Sequence, residues 1–118
     1  MATPLPSYLK AYRKSAGLSQ QEVAELLGFL TQKNVWRYER AGSIPSVEIV
    51  LTLELIFDAR AADLFPIAAL AAESRLLVQA DTLLDRLERQ GGSERVRHKR
   101  AHVAGIKRRI EARRNQEI

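Results

Sequence analysis

Apolar residues over positions 5–66 recur with the helical period, and glycine or proline interrupts them at short intervals. This pattern predicts five helices joined by short connections. The first helix carries Leu9 and Tyr12 inward and ends at Gly17, and the last one is interrupted by Pro66. We therefore expect an all-α fold in which residues 5–66 form one domain.

The second predicted helix has clear start and stop signals. Ser19 and Glu22 form a Ser-x-x-Glu capping box, in which each side chain accepts a backbone N–H of the first turn, so the helix begins directly after Ser19. Gly28 stands where a residue of left-handed backbone geometry ends a helix. Phe29 and Leu30 follow, and we expect these two side chains to fill the turn.

A third helix is predicted at about 32–40, with Thr31 as its N-cap and with Val35 and Tyr38 at the spacing of a buried side. Its remaining side chains are mostly polar and form hydrogen bonds: Gln32, Lys33, Trp36, Arg37 and Arg40. Two short helices across a tight turn, the second with such an outward side, are typical of a helix-turn-helix that binds DNA.

Ser46 caps a fourth predicted helix that runs to about Phe57, and Asp58 stands at its C-terminal end. The apolar set of this helix is wider than one stripe: Val47, Val50, Leu51, Leu53, Ile56 and Phe57. We therefore expect it to be the central buried helix of the domain.

The region 67–118 forms a helical, basic C-terminal extension with two amphipathic helices on either side of Gly91-Gly92. Their apolar stripes are Leu70, Leu77, Leu84 and Leu87 in the first helix and Val96, Val103, Ile106 and Ile110 in the second. Such stripes need a partner surface in water. We expect a homodimer through the residues after 66, with an intramolecular hairpin or a disordered end as the alternatives.

Composition narrows the class of protein. A chain of 118 residues allows one small domain and an extension. The sequence has no cysteine, which excludes disulfide scaffolds and cysteine-based zinc sites. It also lacks a leader pattern and any apolar run near the ~20 residues of a membrane span. We expect a cytoplasmic protein that does not enter a membrane.

The net charge of +5 is unevenly distributed along the chain. Residues 1–60 carry 7 basic and 6 acidic side chains, residues 61–90 carry 3 and 5, and residues 91–118 carry 9 and 3. A basic run of this kind either attracts polyanions without reading their sequence or forms a solvated helix face. Composition alone does not separate these two interpretations.

Catalytic motifs are missing from the sequence. No His, Ser or Cys nucleophile stands in a recognisable motif, and there is no glycine loop for phosphate. His98 and His102 have the i, i+4 spacing of metal ligands, but neighbouring arginine and lysine side chains repel a cation. We expect no enzyme activity, no cofactor and no metal.

The segment from Tyr8 to Pro66 resembles the phage repressor and Cro-like helix-turn-helix family, also called the xenobiotic-response-element type. One departure lies in the turn, where the spacing from Gly28 to Glu39 is one residue longer than usual, so Leu30 or a neighbour is an insertion relative to the family. The matching motifs are Gly17-Leu18-Ser19-Gln20, Val23-Ala24, Leu27-Gly28, Val35, Tyr38-Glu39-Arg40, Pro45-Ser46 and Asp63-Leu64-Phe65-Pro66.

This resemblance implies a five-helix, repressor-like domain and a sequence-specific transcriptional regulator that represses a promoter. Its helix at about 32–40 would lie in the major groove of double-stranded DNA, where each base pair displays a distinct pattern of donors and acceptors. The alternative function is an antitoxin-like interaction protein, whose C-terminal extension binds a protein partner while the domain binds DNA.

The resemblance also implies roles for individual residues. The expected base readers are Gln32, Lys33 and Arg37, with Asn34 and Trp36 as secondary candidates. The expected phosphate contacts are Gln20, Arg40 and Ser43. Arg13 and Glu39 are expected to form a structural ion pair that braces the recognition helix.

Overall fold

The computed structural model describes residues 5–116, and the predicted all-α fold is confirmed across them. No helix in this described part is long and apolar enough to span a membrane. The helices are α1 (Leu9–Ser15), α2 (Gln20–Leu26), α3 (Lys33–Glu39), α4 (Val47–Phe57), α5 (Ala61–Leu64), α6 (Pro66–Arg89) and α7 (Glu94–Gln116).

The chain divides into two compact units, Met1–Leu70 and Ala71–Ile118. The division lies within α6. Pro66 follows the end of α5, as predicted, and is the first residue of α6, because proline lacks only an N–H that the first turn of a helix leaves unpaired.

Every helix from α1 to α5 contributes to one apolar core in the first unit. The buried members of this core are Leu9, Val23, Ala24, Val35, Tyr38, Leu53 and Leu64. Full burial of one such aliphatic side chain contributes about 1.5–3 kcal/mol relative to its exposure. The backbone N–H of Tyr8 donates to the carbonyl of Leu64 at 2.8 Å, so the two ends of this unit are joined as well.

The start and stop of α2 agree with the prediction. The Ser19 hydroxyl accepts the Glu22 N–H at 3.0 Å, and the Glu22 carboxylate accepts the Ser19 N–H at 2.8 Å. Hydrogen bonds from Ser19 to the Glu22 carboxylate, that of the backbone N–H foremost, lower the pKa of Glu22. Gly28 has φ +80°, the left-handed geometry that ends the helix.

The turn before α3 differs from the prediction. The N-cap is Gln32 rather than Thr31, and the Thr31 hydroxyl only accepts the Lys33 N–H at 3.4 Å. Phe29 packs against the core, whereas Leu30 is 96% exposed. One additional residue in the turn explains both findings. The core takes only one side chain from the turn, that of Phe29, and α3 begins one position later than predicted.

Helix α4 begins and ends as predicted, but it is not a central buried helix. Ser46 caps it by accepting the Ile49 N–H at 3.3 Å, and Asp58 ends it in left-handed geometry. Leu53 is its one fully buried side chain. The short helices around α4 cover one side of it, so the other side keeps an exposed apolar row at i, i+4, i+8 spacing, Val47, Leu51 and Leu55.

In the second unit, α7 folds back along α6 to form a helical hairpin. Its core consists of Ala80 and Leu87 from α6 and Val96 and Val103 from α7, with Leu83 and Leu84 packed beside them. Two ion pairs cross the hairpin: Lys107 with Asp81 at 2.6 Å and Arg114 with Glu73 at 3.4 Å.

The hairpin covers, within one chain, part of the apolar stripe on which the expected dimer through the residues after 66 was based. That expectation required the α6 stripe to lack a partner within the chain. Leu84 and Leu87 are instead covered by α7, the intramolecular alternative, because the Gly91-Gly92 turn is long enough for reversal and the two stripes match in length. Leu70, the first member of the stripe, lies in the other unit.

Candidate nucleic-acid interface

An ion pair between α1 and α3 lies behind the recognition helix. The Arg13 guanidinium donates to both carboxylate oxygens of Glu39, from Nε at 2.6 Å and from Nη2 at 3.2 Å. Its Nη1 donates to the Leu18 carbonyl at 3.0 Å. The Arg13 and Glu39 side chains are only 11% and 3% exposed. The predicted structural pair is therefore present, with bidentate geometry and little access to water.

Gln20 joins this arrangement, which the sequence did not suggest. Its amide Nε2 donates to Glu39 Oε1 at 3.1 Å, so the first residue of α2 contacts the last residue of α3. The Glu39 carboxylate thus links α1, α2 and α3. Because a primary amide has two N–H groups, Gln20 still has one to donate to a phosphate.

The outward side of α3 carries four exposed residues at i, i+3, i+4 and i+7 spacing: Lys33, Trp36, Arg37 and Arg40. The Arg40 guanidinium lies 4.7 Å from the centroid of the Trp36 ring, a cation–π contact that holds both side chains on the surface. This side contains three cations and no carboxylate, which suits a surface that approaches phosphates.

The other two predicted base readers lie elsewhere on α3. Gln32 is the exposed N-cap and therefore stands at the N-terminal end of the helix. Asn34 is partly buried. At about 100° per residue, it lies beside the outward side of α3 rather than on it. The structure therefore groups Lys33 and Arg37 with Trp36, places Gln32 at the tip, and separates Asn34 from them.

The loop after α3 contains the last predicted phosphate contact, Ser43, which is exposed. Ala41 begins this loop with φ +56°, and the Gly42 N–H donates to the Arg37 carbonyl at 2.9 Å. Together these features end α3 and turn the chain toward α4. Arg40 and Ser43 consequently stand on either side of this turn.

Lys10 and Lys14 of α1 were not among the phosphate contacts expected from the sequence. In the structure both lysines line a surface cleft of about 590 Å³ together with Arg40. Their i, i+4 spacing was the available signal, but a sequence does not reveal that the end of α3 lies beside it. The two lysines are additional candidates for phosphate contact.

A family model described as "Helix-turn-helix" matches residues 9–64. The match begins with α1 and ends with α5, so it covers the complete core of the first unit. Residues 9–64 are a helix-turn-helix domain. The resemblance drawn from the sequence motifs is therefore confirmed.

Two archaeal proteins are similar to the chain. Each bears the name "Putative HTH-type transcriptional regulatory protein". The one from Thermococcus kodakarensis is 35% identical over 78 residues, which is 66% of this chain and 24% of that protein. The one from Pyrococcus horikoshii is 44% identical over 50 residues, which is 42% of this chain and 16% of that protein. The chain thus spans at most about a quarter of these relatives. No solved structure matches it.

Proposed function

We propose that this protein binds double-stranded DNA at specific sites and regulates transcription, with α3 in the major groove. The observation that carries the proposal is the outward side of α3, where exposed Lys33 and Arg37 stand on a helix braced by a buried ion pair. A helix held in one orientation presents its side chains to base edges with little loss of conformational entropy. Two archaeal relatives named as regulators support the same function.

In this proposal some side chains contact bases and determine sequence preference, and others contact phosphates and position the protein on the duplex. Lys33 and Arg37 donate to guanine O6 and N7, and Gln32 bonds adenine from the tip of the helix. Trp36, on the same side as these readers, makes a secondary base contact, whereas partly buried Asn34 is not among the proposed readers. Phosphate contacts come from Gln20 at the start of α2 and from Arg40, Ser43, Lys10 and Lys14 around the end of α3.

We infer repression rather than activation as the regulatory outcome. A protein that occupies a promoter groove excludes other proteins from it by volume alone, whereas activation needs a further contact with the transcription machinery. The described residues supply a helix-turn-helix unit for such occupation.

We also propose that the protein binds as a homodimer. One recognition helix reads few base pairs, and two-fold dimers gain affinity by placing two such helices about one DNA turn apart. The exposed α4 row of Val47, Leu51 and Leu55 supports a surface for a second copy within the first unit. The exposed residues after 66, such as Leu70 and Leu76, are the competing surface.

Selection of bound sequences from random duplex DNA tests the proposed recognition. The full chain should enrich one motif, and a two-fold symmetric motif would agree with a homodimer. A reporter gene with that motif at its promoter should be repressed by the protein. Failure to enrich any motif would contradict sequence-specific binding, and a stimulated reporter would contradict repression.

Light scattering of full-length variants tests the dimer surface. Leu51→Ser with Leu55→Ser should convert the dimer to a monomer, because the change removes two apolar side chains from the α4 row. Leu70→Ser with Leu76→Ser is the matched control with the same loss of apolar atoms. If only the control pair dissociated the dimer, the interface would lie after residue 66. A monomeric wild-type chain would overturn the dimer altogether.

A further inference from the structure

The helical hairpin separates its charges onto two edges. On one edge, which we call the basic edge, exposed cationic and histidine side chains of α7 recur at helical spacing in two groups, 95–102 and 109–113, and two arginines of α6 share this edge. The members are Arg95, His98, Lys99, His102, Arg109 and Arg113 from α7 and Arg75 and Arg86 from α6. At about 100° per residue, all of them lie on the same side of the buried stripe.

Three carboxylates of the hairpin, Asp81, Asp85 and Glu111, lie away from this edge. Asp81 binds Lys107 at 2.6 Å on the opposite edge. The pKa of Lys107 is raised by its hydrogen bond to Asp81 first, and then by the charges of Glu111 and Asp85, so these groups surround it. Opposite charges therefore neutralise one another on that side, while the basic edge keeps its positive charge.

Two shallow grooves between α6 and α7 bring most members of the basic edge together in two groups. One, of about 360 Å³, is lined by Arg86, His98, Lys99 and His102 with apolar neighbours. The other, of about 170 Å³, is lined by Arg109 and Arg113 around Leu76 and Ile106. No carboxylate lines either groove. A ligand along this edge consequently meets cations of both helices.

We propose that the basic edge is a second DNA contact, which binds the phosphate groups of a duplex without reading their sequence. From Arg95 to Arg113 the edge is about 27 Å long at 1.5 Å per residue. A duplex carries one charge per about 1.7 Å of its axis, so this length meets several phosphates. Arginine, which predominates here, pairs with phosphate oxygens in bidentate geometry.

Two observations favour a DNA duplex over other polyanions. A helix that binds a membrane surface inserts its apolar stripe, but Val96, Val103 and Ile110 of α7 are buried in the hairpin. Proteins that hold single strands stack bases on aromatic side chains, and residues 71–118 contain no Phe, Tyr or Trp. Backbone contact with a duplex requires neither feature. The edge binds phosphates whether or not α3 reads bases, so this site is separate from the proposed operator recognition.

The test compares two full-length triple variants that lose the same charge. Arg95→Gln, Arg109→Gln and Arg113→Gln remove cations from the basic edge, and Arg89→Gln, Arg97→Gln and Arg108→Gln remove exposed cations elsewhere on the hairpin. Binding to a random-sequence duplex is measured by fluorescence anisotropy over a range of salt concentrations. The slope of log K against log salt should fall by about 2 to 3 for the edge variant, since each lost phosphate contact removes about 0.9. For the control variant, the magnitude of this slope should fall by less than one.

Additional measurements distinguish loss of phosphate contacts from loss of folding. Circular dichroism verifies that both variants retain the helical content of the wild type. Lysine at the same three edge positions should restore the slope, because phosphate accepts either cation, and this variant decides the matter if the glutamine variant unfolds. Equal slopes for edge and control variants would overturn the proposal. So would an unchanged duplex slope combined with lost binding to phosphatidylserine vesicles, which would assign the edge to a lipid surface.

The same measurements distinguish this site from the proposed operator recognition. If α3 did not read bases, selection from random DNA would enrich no motif, yet the contrast between edge and control variants would persist. If the basic edge were only solvated, a motif would be enriched while both triple variants kept the wild-type slope.

Discussion

The two units of the chain use the same cationic side chains in opposite ways. In the helix-turn-helix unit, Arg13 is buried, makes three hydrogen bonds and determines where a helix lies. In the hairpin, Arg109 and Arg113 are exposed along one edge and share their surroundings with other cations. Arginine in the first unit therefore acts through geometry, and arginine in the second acts through summed charge. This difference teaches that the number of basic residues predicts neither role.

The sharpest test of the contrast removes one ion pair from each unit. Arg13→Ala should destabilise the first unit by about 3–5 kcal/mol, because it leaves the nearly inaccessible Glu39 carboxylate without its partner. Lys107→Ala in the hairpin should cost at most about 1 kcal/mol, since its partner Asp81 is largely exposed. Trp36, the one tryptophan of the chain, reports urea unfolding of the first unit, and circular dichroism reports the hairpin. Similar costs for both substitutions would remove the distinction between the units.

A second prediction concerns the two sides of α4. Leu53→Ala should destabilise the first unit by about 2–5 kcal/mol, because it opens a cavity in the core that every helix from α1 to α5 lines. Leu55→Ala, two residues away on the exposed row, should change stability by no more than about 0.5 kcal/mol. Thermal melts of both variants at a protein concentration low enough to dissociate a dimer make the comparison. A large loss for Leu55→Ala would show that the row is covered.

A third prediction distinguishes residues that contact bases from residues that contact phosphates. Arg37→Ala should cost about 1–3 kcal/mol on the preferred sequence and reduce discrimination at one base pair. Gln32→Ala should act in the same way at another position. Arg113→Gln in the hairpin is the contrasting change, because loss of a phosphate contact weakens all sequences about equally. Competition binding on single-base variants of the selected motif measures both effects. Uniform weakening by Arg37→Ala would reassign that residue to the DNA backbone.

The smallest expected effect compares a helix cap from each unit. Ser19→Ala should cost about 1 kcal/mol by removing the capping hydrogen bond of α2. Because folding lowers the pKa of Glu22, the capping box stabilises fully above the ordinary pKa of a glutamate and loses this contribution as the pH falls through the folded value. Ser93→Ala should also remove a cap, since Ser93 accepts the Val96 N–H, but Val96 cannot titrate. Because Ser19→Ala keeps the backbone N–H that lowers this pKa most, Glu22→Gln is the change that should flatten the loss of stability toward acid pH, and an unchanged pH profile of Glu22→Gln would contradict this assignment.

The sequence by itself determined the local features of the first unit. The capping box at Ser19, the left-handed residue at Gly28 and the cap at Ser46 depend on neighbours within four residues, so each was predicted and each is present. The inward positions Val35 and Tyr38 followed from helical period alone. The helix-turn-helix family followed from the same residues, since its motifs consist of these caps and core positions.

Tertiary structure decided which surfaces meet. The sequence of α4 is apolar on two sides, and only the positions of the other helices determined that Leu53 is buried and Leu55 exposed. The choice between a dimer and a hairpin was open because an apolar stripe specifies that it needs a cover but not which surface provides it. For the same reason, neither the contact of Gln20 with Glu39 nor the division of hairpin charges onto two edges follows from residue order. Local periodicity describes one helix, whereas these features depend on the packing of several.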